Sequence, residues 1–575
     1  MAQVVSEVSD SLATLTGRQD VPSAQQSAAS NFADGLSRVS SDTQLESQKC
    51  SLKNDDISVI DSPQQPMSLM RTLILFAGLA FCVFLCSLDQ TIVATAIPRI
   101  ASDFNSLTDV AWIGSAYLLA TAAVTPLYGR LTAIFGLKQV FLFALAMFLV
   151  GSLGCALSNS MVMLIVFRAV SGIGGESMYA LALVIITTVS TPKWSATLQG
   201  WFGAVFAVSA AVGPLLGGVF TDKLTWRWAF YINLPFGAVS MGIIIFGFYM
   251  PPITGSIKEK LRRIDYFGAV LLLIAVITLL LGVSWGGNTY PWDSAVVISL
   301  FCVAAVACAA FIWVEGWHAK QPFIPGRVLN SRNVALTMIT SFLSGWVIFS
   351  LVYYVPLFYQ LVRNKSATDA GLMLIPLMVL CCICTAASTM VIGRYGRWTY
   401  RSILTFGFLL TILSLGLCLT FWEEEKRVTE TVILALLGAG LGSVWQSVYM
   451  TAQASCQPRD MPVSTMLCSF FQVMGATIGL AVTGSVFNNA SEKYSPELPV
   501  SASAAGPALS GSMENIHQLP EDIRALVIHG LIQAFHILFI SLIPPTAVAA
   551  LTSVFIRPRR WSEVQNDAGP GGAAH

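Results

Sequence analysis

Fourteen long hydrophobic stretches fill this chain between residues 72 and 556. A helix rises 1.5 Å per residue, so roughly 20 apolar residues cross a hydrocarbon core of about 30 Å. Because backbone amides in lipid need partners within the protein, unbroken apolar runs of this length indicate helices. The composition agrees, since only 11% of the residues are charged, against about 25% in a typical soluble chain. The sequence therefore predicts an all-α integral membrane protein with segments at 72–98, 110–128, 139–158, 161–189, 198–220, 229–250, 264–284, 294–317, 333–358, 369–392, 402–422, 431–454, 464–487 and 534–556.

The two ends of the chain are polar. Residues 1–66 lack the apolar core of a signal peptide and are rich in Ser, Gln and Asp, which predicts a disordered cytosolic tail. A second cytosolic tail is predicted over 557–575. The net charge of +1 gives no indication of a nucleic-acid partner. No P-loop sequence occurs, and the cysteines and histidines show no metal-ligand spacing, so we expect no ATP hydrolysis, cofactor, metal site or enzymatic activity.

Lysine and arginine placement predicts the orientation, because cytosolic loops of membrane proteins carry an excess of these residues. With a cytosolic N-terminus, the inner loops and the C-terminal tail hold seventeen of the 32 Lys and Arg residues, and the outer loops hold nine. Both N-glycosylation acceptor sequences, at Asn364 and Asn489, then fall in outer loops, the longest of which is predicted over 488–530. We therefore expect cytosolic termini and candidate glycans on these two residues.

A weak internal repeat indicates how the segments are grouped. Gly129-Arg130 follows the second segment, and Gly393-Arg394 follows the tenth. If the seventh and eighth segments are an insertion, both pairs join the second and third helices of a six-helix half, which is a transporter plan. The predicted organisation is two six-helix bundles, at 72–250 and 333–556, with two extra helices between them at 264–317.

Short motifs occur in a fixed order along this plan. They are Leu88-Asp-Gln-Thr-Ile-Val93, Arg168-Ala-Val-Ser-Gly-Ile-Gly-Gly175, Gly213-Pro-Leu-Leu-Gly-Gly218, Thr225-Trp-Arg-Trp-Ala-Phe-Tyr-Ile-Asn-Leu-Pro235, Asp265-Tyr-Phe-Gly268 and Trp285-Gly-Gly287. Their order and spacing resemble the major facilitator superfamily, in particular its fourteen-span drug:proton antiporters of fungi. The chain departs from the family pattern at four positions. After the second segment, where the family usually has an Asp and often an Arg, this chain has Ala133 and Leu137. The other two departures, Ser171 and Glu176, lie at the fourth-segment motif.

Three charged residues lie deep within predicted membrane segments. A charge in hydrocarbon costs about 2.5–3.5 kcal/mol, so Asp89, Arg168 and Glu176 are functional candidates. Asp89 lies about 13 Å from the outer end of its segment and Arg168 about 10 Å, at 1.5 Å per residue. These depths permit an ion pair, and Glu176 lies about 12 Å further along the same helix as Arg168. The resemblance ties Arg168 to proton coupling; the competing interpretation is a pair that only joins two helices.

The remaining candidates come from the fifth segment and the second half. Gly213-Pro214 and Gly217-Gly218 combine a helix-bending proline with glycines that permit close packing, and they resemble the family's antiporter motif. The resemblance makes the ninth and twelfth segments cavity helices, where aromatic and amide side chains suit a large, mostly apolar ligand. The predicted cavity residues are Trp346, Phe349, Tyr353, Tyr354, Trp445, Gln446, Tyr449 and Gln453, with Gln472 nearby on the thirteenth segment.

These observations favour a secondary active exporter. We predict that a proton gradient drives efflux of an amphipathic small molecule, such as a fungal metabolite, toxin or drug, by alternating access of two rocking bundles. The predicted location is the plasma membrane, or alternatively a vacuolar or vesicle membrane, with the protein acting as a monomer in the bilayer. One alternative is an importer of the same fold, such as a siderophore or nutrient proton symporter. An alternative from another class is a membrane receptor or sensor without net flux.

Overall fold

Helices make up nearly all of the described chain. The computed structural model describes residues 68–104, 111–250, 256–287, 290–317, 322–365, 367–395, 399–421, 427–457, 460–494 and 521–557. Within these ranges no β-strand forms, and one isolated bridge joins Gly286 and Tyr290. The predicted all-α class is therefore confirmed. Residues 1–67 and 558–575, which contain the two predicted tails apart from Arg557, lie outside the described residues.

The helices fall into three groups along the chain. The first group contains α1 (Leu69–Phe104), α2 (Ala111–Phe135), α3 (Leu137–Ala156), α4 (Met161–Val189), α5 (Pro192–Lys223), α6 (Trp228–Tyr231) and α7 (Asn233–Gly247). The second contains α8 (Ile257–Arg262), α9 (Tyr266–Trp285), α10 (Ala295–Trp317) and α11 (Gly326–Leu329). The third contains α12 (Arg332–Leu361), α13 (Ala367–Met373), α14 (Ile375–Tyr395), α15 (Thr399–Cys418), α16 (Arg427–Ala454), α17 (Met461–Tyr494) and α18 (Glu521–Val554).

Thirteen stretches of helix are long and apolar enough to cross a membrane, counted over the described residues alone. They correspond to every predicted segment except 198–220. That segment lies in α5, a helix of 32 residues. At 1.5 Å per residue α5 is about 48 Å long, more than the thickness of a hydrocarbon core. The chain therefore has helices of sufficient length at all fourteen predicted positions.

Two of the predicted segments are broken helices. Segment 229–250 consists of α6 and α7, which meet at Ile232, and segment 369–392 consists of α13 and α14, which meet at Leu374. Pro235 and Pro376 fall in the first turns of α7 and α14. Proline is tolerated there because the first-turn amides have no partner within their helix. Each break thus lies two or three residues before a proline.

The first and third groups of helices form two halves that meet along two seams. Helix α5 packs against α14, and α2 packs against α17. Helices α9 and α10 pack on each other, and α9 also contacts α2 and α17. The inserted pair is thus attached beside the α2–α17 seam. Close approach also occurs within a half, since a methyl group built on Gly442 of α16 would overlap the backbone oxygen of Cys381 on α14.

Candidate coupling and transport site

An ion pair buried between α1 and α4 forms the first part of the candidate site. Arg168 Nη1 lies 2.5 Å from Asp89 Oδ2, and the two side chains are 3% and 0% exposed. Hydrogen bonds between charged groups of this length are stronger than bonds between neutral groups. The pair expected from the matched depths of these residues is present in the structure. Removing either partner would leave a buried, unpaired charge, which typically costs about 3–5 kcal/mol.

Neighbouring groups complete the surroundings of both charges. Asn233 Nδ2 donates to Asp89 Oδ1 at 3.2 Å, and Arg168 Nε donates to the backbone oxygen of Ile113 at 3.0 Å. The Arg168 guanidinium carbon lies 4.5 Å from the centre of the Tyr117 ring. This distance is within the range of a cation–π interaction. The pair is therefore held by four helices, because Ile113 and Tyr117 belong to α2 and Asn233 belongs to α7.

The motif at 225–235 supplies two of the groups around this ion pair. Its Phe230 ring centre lies 5.9 Å from the Arg168 guanidinium carbon. Its Asn233 is fully buried and also donates to Ser152 Oγ at 3.1 Å. The break at Ile232 ends α6 and starts α7 between these two side chains. The motif thus contributes an aromatic ring and an amide to the site, a role that the sequence alone did not predict.

Glu176 makes a separate contact between α4 and α1. Gln90 Nε2 donates to Glu176 Oε2 at 2.7 Å, and the Glu176 side chain is buried. The residue before it, Gly175, departs from helical geometry with φ −25° and ψ −114° and bends α4. The predicted ladder of three charges is therefore two contacts, one from Asp89 to Arg168 and one from Gln90 to Glu176.

Five aromatic rings meet between the two halves. Phe206 of α5 lies 4.9 Å from Trp445 of α16, and Phe349 of α12 lies 6.3 Å from the same ring. Tyr179 of α4 lies 5.6 Å from both Phe206 and Tyr449. These separations are typical of favourable aromatic pairs. The predicted cavity residues Phe349, Trp445 and Tyr449 thus come together, and the first half adds Tyr179 and Phe206 to them.

A network of amides continues from this aromatic cluster towards the α4–α5 connection. Tyr179 Oη donates to Gln446 Oε1 at 2.6 Å, and Gln446 Nε2 donates to Gln199 Oε1 at 3.1 Å. Gln199 Nε2 in turn donates to Gln453 Oε1 and to Thr187 Oγ1, each at 3.0 Å. All five side chains are buried. Because Tyr179, Thr187 and Gln199 belong to the first half and the other two to the second, this amide network must break if the halves separate here.

Three of the predicted cavity residues lie outside the aromatic cluster. Trp346 Nε1 donates to Thr483 Oγ1 at 3.1 Å, which places Trp346 in the contact between α12 and α17. Tyr354 lies 5.6 Å from the Phe487 ring on α17, and Tyr353 is 38% exposed. These three side chains are not part of the aromatic cluster, and their place at a substrate cavity stays a prediction. Aromatic residues along one helix point in several directions, and only the packing selects which of them meet.

Gln472 and the second-half aromatic residues are connected through Tyr449. The Tyr449 hydroxyl donates to Gln472 Oε1 at 2.6 Å, which joins α16 to α17. In the part of the chain that the structure describes, no group of three or more His, Cys, Asp or Glu side chains is arranged to hold a metal ion. The sequence interpretation missed six residues of the site, which are Gln90, Tyr117, Tyr179, Gln199, Phe206 and Asn233. Each is a polar or aromatic residue within an apolar segment, and that pattern is a signal that could have identified them.

The glycines of the fifth segment do not share one environment. A methyl group built on Gly213 would overlap the hydroxyl oxygen of Thr91, so α5 and α1 approach closely at this point. A methyl group on Gly218 would meet no described atom of a neighbouring helix within 4 Å. The Gly217 backbone oxygen accepts a bond from Thr221 Oγ1 at 2.7 Å. Close packing therefore applies to Gly213 and not to Gly218, while the side chain of Pro214 lies outside the described residues.

The two predicted glycosylation sites have different backbone settings. Asn364 is exposed after the end of α12, and its φ of 51° is in the left-handed region that asparagine tolerates. Asn489 is exposed on α17, which continues to Tyr494. The predicted start of the outer loop at residue 488 was therefore too early, and residues 495–520 of that loop lie outside the described residues.

The comparison with known families decides which class of protein carries this site. The family model described as Major Facilitator Superfamily matches residues 79–480, which is most of the chain. The chain belongs to the Major Facilitator Superfamily. Membership makes it a multi-pass membrane transporter of small molecules rather than an enzyme, as its motifs indicated.

Similar members of this superfamily come from filamentous fungi. "Efflux pump aunC" of Aspergillus niger is 36% identical over 433 residues, covering 75% of this chain and 82% of that protein. "MFS-type transporter astH" of Aspergillus oryzae is 35% identical over 450 residues, covering 77% of this chain and 79% of that protein. Among solved structures, the proton:xylose symporter XylE has a TM-score of 0.55 at 12% identity, covering 87% of this chain and 99% of its own. XylE is therefore similar in fold alone.

Proposed function

We propose that this chain is a proton-coupled exporter of an amphipathic small molecule. The observation that carries the proposal is the fully buried pair of Arg168 and Asp89, with Glu176 further along α4. Charged groups in the hydrocarbon region cost free energy and mark ion pathways in transporters. The names of similar fungal proteins favour export as the direction, since aunC is called an efflux pump.

The proposed cycle uses the two carboxylates as proton carriers. A proton bound by Asp89 removes the charge that holds the Arg168 guanidinium and so weakens the contact between α1 and α4. Glu176 binds or releases its proton closer to the aromatic cluster between the halves. Movement of the halves then breaks the amide network of Gln199, Gln446 and Gln453, and the substrate site opens to the other side.

The proton gradient supplies enough free energy for this cycle. One proton driven by a potential of about 100 mV yields roughly 2.3 kcal/mol. One pH unit adds about 1.4 kcal/mol. Together these terms support a concentration ratio of roughly 500-fold for each proton, without ATP.

Further parts of the proposal come from the sequence. We place the protein as a monomer in the plasma membrane, with a vacuolar or vesicle membrane as the alternative, and with both termini cytosolic. The aromatic rings and neutral amides between the halves suit a substrate with a flat apolar part and a few polar groups. An importer of the same fold, such as a siderophore or nutrient proton symporter, remains the rival function. A receptor or sensor without net flux is the rival from another class.

Transport by purified protein in proteoliposomes tests the proposal. Ethidium, an amphipathic aromatic cation, is supplied outside vesicles whose interior is acidic, together with neutral aromatic compounds of similar size in parallel samples. We expect accumulation inside the vesicles that stops when an ionophore removes the pH gradient. Accumulation only with the opposite gradient would favour a symporter, and binding without accumulation would favour a receptor. Empty vesicles and vesicles with the Arg168→Ala variant are the controls.

A further inference from the structure

Tyr117 on α2 carries a buried hydroxyl that the proposed cycle does not use. The side chain is 1% exposed, and its Oη atom has no hydrogen-bond partner among the described residues. A buried polar atom without a partner costs free energy, so such atoms are rare and need an explanation. The phenol of Tyr128, on the same helix, instead donates to the backbone oxygen of Ile173 at 2.9 Å. The unpaired state of the Tyr117 hydroxyl is therefore not a general property of this helix.

The Tyr117 side chain lies between the two charged contacts of the site. The Arg168 guanidinium carbon lies over the Tyr117 ring, 4.5 Å from the ring centre. The opposite end of the ring, the hydroxyl oxygen, lies against Gly175, because a methyl group built on Gly175 would overlap that oxygen. Gly175 directly precedes Glu176 in the chain. Tyr117 is thus the side chain that extends from the ion pair to the backbone next to Glu176.

The hydroxyl also lies where α4 is bent. Gly175 has non-helical backbone angles, and the Cys86 thiol of α1 donates to the Gly175 backbone oxygen at 3.2 Å. Around this point α2 is fixed to α4, since Thr121 Oγ1 donates to the Gly172 backbone oxygen at 2.8 Å. A change in the bend at Gly175 would therefore move the Glu176 carboxylate relative to a Tyr117 ring that stays in place.

We propose that Tyr117 is a positioning residue for proton exchange at Glu176. When the bend at Gly175 changes, the Tyr117 hydroxyl donates a hydrogen bond to the Glu176 carboxylate in place of Gln90. The hydroxyl keeps its own proton, and the bond stabilises the charged carboxylate after that carboxylate has released its proton. The role in transport rests on the proposed function, whereas the hydrogen bond itself does not.

Other titratable groups near Glu176 must be considered in any pH dependence. Those that interact electrostatically with Tyr117 or with Glu176 lie on α1, α4 and α16, and they are Cys86, Asp89, Arg168, Tyr179 and Tyr449. Three of these groups are thiols or phenols, which are neutral near pH 7. Asp89 and Arg168 are paired with each other, so the two charges largely cancel at Glu176.

An infrared titration tests the hydrogen bond without any substrate. The carbonyl stretch of protonated carboxyl groups is followed against pH in the full-length, detergent-solubilised protein, and the Glu176→Gln variant identifies the band of Glu176. We expect Tyr117→Phe, which retains the ring under Arg168, to move the midpoint of that band upward by about one pH unit, a tenfold change in proton affinity. The matched control, Tyr128→Phe, should leave the midpoint unchanged. An unchanged midpoint in Tyr117→Phe would overturn the proposal.

Transport measurements then separate this inference from the proposed function. In the ethidium assay we expect Tyr117→Phe to reduce gradient-driven accumulation about tenfold, while ethidium exchange at equal pH on both sides stays within about twofold of the unchanged protein. Failure of the unchanged protein to accumulate ethidium or the neutral probes would count against the proposed function, and the infrared result would still decide the hydrogen bond. Equal losses of accumulation and exchange would show that Tyr117 only supports the fold.

Discussion

Each half of the molecule contains a buried ion pair between its first and fourth long helices, but the two pairs lie at different depths. Asp89 of α1 meets Arg168 of α4 in the first half, and Arg363 meets Glu430 of α16 in the second. Both pairs have a nitrogen–oxygen distance of 2.5 Å and side chains that are at most 6% exposed. The charges are exchanged, because the acid is on the first helix in one half and on the fourth helix in the other.

The depth of each pair along its helices distinguishes what it can do. Arg168 lies about two turns into α4, and Asp89 lies about four turns before the end of α1. Glu430 instead lies in the first turn of α16, and Arg363 follows the end of α12. Tyr359 Oη also donates to Glu430 Oε2 at 3.1 Å. A pair at helix ends can be hydrated when it opens, so we expect the Arg363–Glu430 pair only to join two helices. Opening the deeper pair leaves charges in hydrocarbon unless a proton binds.

The largest expected effect is on coupled transport. Arg168→Ala should lower gradient-driven ethidium accumulation at least about 100-fold, because it leaves Asp89 buried without its counter-charge. Arg363→Ala should retain at least about a third of the activity, since its partner Glu430 lies in the first turn of α16, where it can be hydrated once the pair is opened. Arg168→Lys should restore activity only in part, because lysine lacks the planar set of five donors. The measurement is accumulation in proteoliposomes at matched protein content.

Equal protein quality is the control for this comparison. Only protein that elutes from size-exclusion chromatography as the unchanged protein does is reconstituted, and the amount in the vesicles is matched between variants. If Arg363→Ala abolishes accumulation as completely as Arg168→Ala, the depth of an ion pair does not distinguish a pair that couples transport to protons from a pair that only joins two helices.

The second effect concerns stability and compares the two pairs by double-mutant cycles. Asp89→Asn or Arg168→Gln alone should cost about 3–5 kcal/mol, and the double variant should be more stable than either single variant because no unpaired charge remains. The double variant should still transport poorly, since only Glu176 could exchange protons. The cycle of Arg363→Gln with Glu430→Gln should give a coupling energy of about 1–3 kcal/mol. Additive losses at Asp89 and Arg168, measured by denaturant unfolding, would contradict a direct interaction.

The smallest effect contrasts bonds between the halves with bonds inside one half. Gln199→Ala removes hydrogen bonds that join α5 to α16, and each such bond contributes about 1 kcal/mol. Two such bonds are lost, to Gln446 and Gln453, so we expect amide hydrogen exchange in the facing turns of α5 and α16 to become about 30-fold faster. The control, Tyr449→Phe, removes a bond from α16 to α17 within the second half. It should leave exchange in α5 unchanged, and a similar acceleration in both variants would argue against a specific role of the amide network.

The sequence determined the membrane class, the helices and the depth of the charges. Apolar runs require helices in lipid, so hydropathy predicted where the long helices lie. The boundaries were less accurate, since α18 begins at Glu521 and not at residue 534, and two predicted segments are each divided into two helices near Pro235 and Pro376. Depth along the membrane normal follows from residue counting, and it brought Asp89 and Arg168 to the same level before any contact was known. The motifs and their order also predicted the family, which the match of the family model to residues 79–480 confirmed.

Only the tertiary structure decided which side chains meet around each helix axis. Counting residues gives depth but not direction, so it could not tell that Trp346 faces Thr483 while Trp445 meets Phe206 from the other half. It also missed Gln90 as the partner of Glu176 and the pair of Arg363 with Glu430. The physical reason is that an apolar helix in lipid has no polar face to fix its rotation, and the rotation is set by packing against its neighbours.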